Sequence, residues 1–75
     1  MKNVTIYTSD TCTYCTQAKE YLKSKGIAFE ERNIKDASYR RELMDMGFMS
    51  VPVIKIDDET ILGFDKEKID SLLGL

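Results

Sequence analysis

The chain has no histidine, one proline and only two cysteines among its 75 residues. Without histidine, and with no cysteine beyond Cys12 and Cys15, these residue types supply only half of a tetrahedral zinc or iron site within one chain. No apolar stretch approaches the roughly 20 residues that cross a bilayer. After Met1-Lys2-Asn3 the chain runs directly into a short amphipathic stretch, with no signal-peptide core, so the expected location is the cytoplasm. Runs of one charge are also missing. Eleven basic and 13 acidic residues are interspersed and leave a net charge of −2, which suits neither nucleic acid nor an anionic membrane surface. Repeats, low-complexity segments and linkers are absent, so residues 1–75 are expected to form a single domain. A domain of this size buries only about 60–65% of its unfolded surface, and its core is thin. Hydrophobic content of 43% with 32% charge fits a globular chain and not a disordered one.

What is present is concentrated in Cys12-Thr13-Tyr14-Cys15. The β-branched and aromatic run Val4 to Tyr7 predicts a strand, and the polar loop Thr8 to Thr11 carries residue types that suit helix N-caps. Cys15, Ala18 and Leu22 then recur at helical spacing, which predicts a helix from Cys12 to about Lys25, stopped by Gly26. Ile27-Ala28-Phe29 predicts a second strand that fades into charge at Glu30-Glu31-Arg32. Asp36 caps a second helix with the stripe Tyr39, Leu43 and Met46, ended by Gly47. A third strand is expected over Val51 to Ile56, a turn at Asp57-Asp58-Glu59 and a fourth strand at Thr60-Ile61-Leu62. The last helix shows the face Ile69, Leu72 and Leu73, with Asp65 as its N-cap. The order β-α-β-α-β-β-α implies a parallel first pair with a right-handed crossover and an antiparallel hairpin at the end. The result is an α/β fold with a mixed four-stranded sheet flanked by three helices.

A strand that delivers Cys-x-x-Cys to a helix start is suited to thiol–disulfide chemistry. In a reducing compartment such a pair is more often catalytic or metal-binding than a structural staple. Cysteines three apart in a first helical turn face the same side and can close a disulfide with small adjustments. Cys12 has free backbone N–H groups and the positive end of the helix dipole beside it, whereas Cys15 shares the buried stripe. Cys12 is therefore expected to be the nucleophile and Cys15 the resolving thiol. With no Lys or Arg between Thr8 and Tyr14, and with Asp10 opposing, the helix N-terminus and the Thr11 and Thr13 hydroxyls are expected to favour the Cys12 thiolate. Pro52 reads either as a strand start or as part of a cis Val51–Pro52 bond that would leave the Val51 backbone open as a short edge for an extended thiol substrate.

Taken together, Cys12-Thr13-Tyr14-Cys15, Ser50-Val51-Pro52 and Gly63-Phe64-Asp65 resemble, in order, the three active-site segments of the glutaredoxins, and the resemblance covers essentially the whole chain. It implies the thioredoxin fold, a cis proline at Pro52, and a small cytosolic disulfide reductase with no tightly bound cofactor and glutathione as co-substrate. It further implies that Val51 pairs with the glutathione backbone, that Tyr14 packs against glutathione, and that Gly63, Phe64 and Asp65 receive its γ-glutamyl end. Arg40, or the adjacent Arg41, would meet its glycine carboxylate. Partners would be disulfide-containing or glutathionylated proteins, and the chain would act as a monomer. Several positions depart from the family pattern: Thr13 for proline, Ser9 for lysine, Leu62 for glycine and Lys66 for aspartate. The run Met46 to Pro52 and Gly63-Phe64 are similar to the NrdH-type redoxins, which implies as an alternative that a flavoprotein, thioredoxin reductase, is the electron donor and that ribonucleotide reductase receives the electrons. The rival from another class is an iron–sulfur carrier with Cys12 as ligand, completed by a second chain or by glutathione. Blander readings stand beside these: Phe64 as core, Asp65 as cap alone, and Arg40 as a solvated side chain.

Overall fold

The computed structural model describes residues 3–75. The elements are β1 (Val4–Thr8), α1 (Thr13–Ser24), β2 (Glu30–Asn33), α2 (Ala37–Asp45), β3 (Val53–Ile56), β4 (Glu59–Leu62) and α3 (Lys66–Leu73). The strands form one sheet in the order β2-β1-β3-β4. β1 pairs with β2 in parallel and with β3 antiparallel, and β3–β4 is an antiparallel hairpin. This is the mixed sheet of the thioredoxin fold, in the element order read from the sequence.

Strand alternation sends β1 side chains to two unequal cores. On one face Val4 and Ile6 join Ile54, Ile56 and Ile61 of the hairpin, Ala18 and Leu22 of α1, and Ile69 of α3. On the other, Tyr7, Val53 and Leu43 of α2 make a smaller cluster, with Ile34, Met46, Phe48 and Val51 packed around it. Burying each large aliphatic side chain contributes about 1.5–3 kcal/mol, so the α1/α3 face supplies most of the hydrophobic stabilisation. The smaller face adds a polar lattice. Arg32 Nη1 donates to Glu42 Oε1 at 2.6 Å and to the Tyr7 hydroxyl at 3.1 Å, and that hydroxyl donates to Glu42 at 3.0 Å. The Arg32 guanidinium also lies over the rings of Tyr7 and Tyr39 and pairs with Glu30.

Two strand assignments need correction. The second strand is not Ile27-Ala28-Phe29 but the charged Glu30–Asn33 that follows. Ile27 and Phe29 pack on the large core from the connecting segment, before the ladder begins. The charged residues are tolerated because β2 is an edge strand whose side chains find partners: Glu31 with Lys19 and Thr8, and Arg32 with Glu42. The third strand begins at Val53, not Val51, as expected where a proline offers no N–H to a ladder. The helix ends agree within one residue. Asp36 caps α2 by accepting the Ser38 N–H at 2.8 Å, and Asp65 caps α3 by accepting the Lys68 N–H at 3.2 Å. No described helix is long and apolar enough to cross a membrane.

Candidate active site

β1 ends at the fully buried Thr8, and the chain reaches α1 through Ser9 to Thr11. Cys12 is the N-cap of α1, with extended backbone (φ −101°, ψ 109°). Its sulfur accepts the Cys15 N–H at 3.1 Å. That amide is one of the first-turn donors that no helical carbonyl can satisfy, so a sulfur placed here receives a donor that stabilises negative charge on it. As a thiol, Cys12 Sγ also donates to the Val51 carbonyl at 3.7 Å. Those are its hydrogen-bond partners among the described residues; the Thr11 and Thr13 hydroxyls do not reach it. Asp10, expected to oppose the thiolate, is held by Asn33 at 2.7 Å and by Lys35 at 3.7 Å.

The two thiols are free and sit in different surroundings: Cys12 is half-exposed, and Cys15 is 0% exposed. Burial pushes the Cys15 thiol up to about 12 and the adjacent Cys12 pushes the same way, while the Ser9 amide and the Lys19 charge pull it down. In the reduced protein Cys15 therefore keeps its proton.

The Val51–Pro52 peptide is cis. Val51 packs on the Tyr7–Leu43–Val53 cluster, and Pro52 is buried. The Pro52 carbonyl accepts the Gly63 N–H at 2.8 Å, which brings the end of β4 against the proline. Gly63 sits at φ 82°, a region that residues with a side chain rarely adopt. Cys12, Val51, Pro52 and Gly63 thus meet at one end of the sheet. Tyr14, in the first turn of α1 behind Thr13, is 63% exposed, and Ser50 is exposed beside Val51. Phe64 packs on the large core with its ring 5.8 Å from that of Tyr21. Asp65 is engaged as the α3 cap. The Arg40 and Arg41 side chains are exposed on α2 and make no hydrogen bond or ion pair among the described residues. Lys66 Nζ lies 5.2 Å from the centre of the Tyr21 ring.

One group escapes a reading of motifs. Lys19 Nζ meets Glu31 Oε2 at 2.8 Å, and the same oxygen accepts the Thr8 hydroxyl at 2.8 Å. The pair depresses the Glu31 carboxyl, with the Lys19 hydrogen bond as the chief cause. The available signal was the spacing: Lys19 lies four residues after Cys15 and therefore on the same side of the helix.

The Glutaredoxin family model matches residues 4–61. The chain belongs to the glutaredoxin family. It is 44% identical over 72 residues to the uncharacterised glutaredoxin-like 8.6 kDa protein of a rubredoxin operon in Clostridium pasteurianum, covering 93% of this chain and 96% of that protein. It is 46% identical over 67 residues to glutaredoxin 3 of Escherichia coli K12, covering 87% and 81%. Among solved structures, the NrdH-redoxin of Escherichia coli, a glutaredoxin-like protein with a thioredoxin-like activity profile, superposes with a TM-score of 0.85 at 30% identity, covering 93% of each chain. The chain is thus a glutaredoxin- or NrdH-like member of a thiol–disulfide oxidoreductase family.

Proposed function

We propose that this chain reduces disulfides of protein substrates, including glutathione mixed disulfides, with Cys12 as nucleophile and Cys15 as resolving thiol. The observation that carries this reading is the asymmetry of the pair. One sulfur is at the surface on a helix start, holding a backbone N–H, and the other is enclosed one turn away. The Cys12 thiolate attacks one sulfur of the substrate disulfide. A Cys12–substrate bond forms as the substrate bond breaks, and the departing sulfur takes up a proton. Cys15 then loses its proton and attacks Cys12 Sγ. The Cys12–Cys15 bond closes, the second substrate thiol leaves, and two electrons have passed to the substrate. Once Cys12 is in the mixed disulfide it carries no charge, so one of the two influences that hold the proton on Cys15 is gone while burial remains. The Val51 backbone, with Ser50 and Pro52 beside it, would pair with an extended substrate segment. Thr13, Tyr14, Gly63 and Phe64 would line its path, and Asp65 and Arg40 would face the ends of a bound glutathione.

Glutathione is the proposed co-substrate that reopens the disulfide. A flavoprotein thioredoxin reductase is the second reading, and Lys66 favours it: an ammonium held over Tyr21 stands where the family pattern supplies an aspartate for the glutathione amino group. Turnover of a protein disulfide coupled to glutathione and glutathione reductase, compared with turnover coupled to thioredoxin reductase, separates the two. Cys12→Ser should abolish exchange with either donor. Cys15→Ser should leave a trapped mixed disulfide and retain only exchange that glutathione itself completes. Full dithiol activity in Cys12→Ser would overturn the assignment.

A further inference from the structure

Resolution requires negative charge on a sulfur enclosed by protein. Cys12 has a helix-start amide for this purpose; Cys15 lies one turn further in, and its own amide is already given to Cys12. The groups around Cys15 differ from element to element. Its own helix presents Cys12 and Lys19, and the β1–α1 loop presents the Ser9 amide. β2 presents Glu31, which reaches the same region through Lys19. On this side of the sheet the hairpin and α3 contribute Ile54, Ile61 and Ile69, which carry no charge, and the Asp65 carboxylate is turned to the Lys68 amide of α3.

Lys19 is the cation in this set, and it is held in place. It lies one helical turn from Cys15 with about 5–6 Å between Cβ atoms. Its side chain is only 26% exposed and its ammonium is anchored by Glu31. Glu31 is anchored in turn by the hydroxyl of Thr8, which is fully buried and precedes Ser9. The chain Thr8–Glu31–Lys19 therefore ties a positive charge on α1 to the end of β1, one residue before the Ser9 amide that faces Cys15.

We infer that Lys19, fixed by Glu31 and Thr8, is the positioning cation that stabilises the Cys15 thiolate during resolution, and that Glu31 limits its strength. Cys15 gives its proton to solvent, its sulfur gains charge near Lys19, and the charge passes to the departing substrate sulfur as the Cys12–Cys15 bond forms. The inference rests on Cys15 being the resolving thiol.

The test isolates the mixed disulfide between Cys12 and a small thiol and follows its internal closure by rapid mixing across a pH series. Lys19→Met, which keeps most of the stem, should move the midpoint of the rate profile upward and slow closure at neutral pH about 3–10-fold, the equivalent of half to one pH unit. Lys19→Arg should restore it. Glu31→Gln should move the midpoint the other way, because it removes the charge that opposes Lys19. A merely structural role predicts the same direction for both neutral variants, and that result overturns the inference. So does an unmoved midpoint in Lys19→Met, or, where that variant does not fold, in Glu31→Gln. A wild-type mixed disulfide that never closes internally overturns the resolving role of Cys15 and this inference with it; closure with an unmoved midpoint overturns this inference alone.

Discussion

The two faces of the sheet do different work. The α1/α3 face is aliphatic and spans the strands from Val4 to Ile6 and from Ile54 to Ile56. The α2 face has a small core at the end nearest Cys12, under Val51 and Phe48, while Thr5 and Lys55 on the same face stay partly exposed. One face therefore holds the fold together, and the other holds the Val51–Pro52 loop, using Arg32, Glu42 and Tyr7 where apolar area runs short. Stability and loop placement are carried by separate sets of residues, and this separation can be attacked from both sides.

The largest effect is expected from Leu22→Ala on the α1/α3 face. It should cost about 2–5 kcal/mol, a large share of the stability of a domain this small, while the folded fraction keeps its exchange rate; chemical denaturation with activity normalised to folded protein checks this. Tyr7→Phe on the α2 face should cost only about 0.5–1.5 kcal/mol yet lower turnover of a protein disulfide, because it removes the hydroxyl that joins Glu42 and Arg32 under the loop. If activity per folded molecule falls more in Leu22→Ala than in Tyr7→Phe, the separation is broken.

The faces should also fail at opposite ends of the pH scale. Glu31 titrates below its ordinary 4.5, chiefly because of the Lys19 hydrogen bond. A depressed carboxyl contributes stability that is present above the unfolded value and lost as pH falls through the folded one. Glu31→Gln should therefore flatten the acid limb of a stability–pH curve. Tyr7 titrates above its ordinary 10.0, burial first and the Glu42 hydrogen bond second. Its contribution is complete below the unfolded value and is lost as pH rises through the folded one, so Tyr7→Phe should flatten the alkaline limb. The smallest change in stability, within about 0.5 kcal/mol, is expected for Lys66→Asp on the exposed start of α3. Its readout is a shift in the ratio of glutathione-coupled to reductase-coupled turnover toward glutathione.

Local chemistry made much of this legible in the sequence. Asp36 and Asp65 were readable as caps because a carboxylate before a helical stripe has few other uses, and both cap in the structure. The helical spacing of Cys15, Ala18 and Leu22 marks Cys15 as buried, and all three are fully enclosed. β2 was misplaced because Glu30-Glu31-Arg32 is polar on both sides, and its acceptance depends on Lys19, Thr8 and Glu42, which are distant in sequence. The same distance hid the Thr8–Glu31–Lys19 chain, which spans three elements. Pairing across elements is set by register, and register is not written in any one segment.

The enclosure of Cys15 has a consequence for handling the molecule. A thiol-labelling reagent arriving from solvent meets one sulfur in the reduced, folded chain and two in the unfolded one. The number of labels carried by each molecule, read by mass, therefore counts folded copies in a mixture. The second label enters only when α1 opens, so its rate of appearance measures how often the helix leaves the sheet.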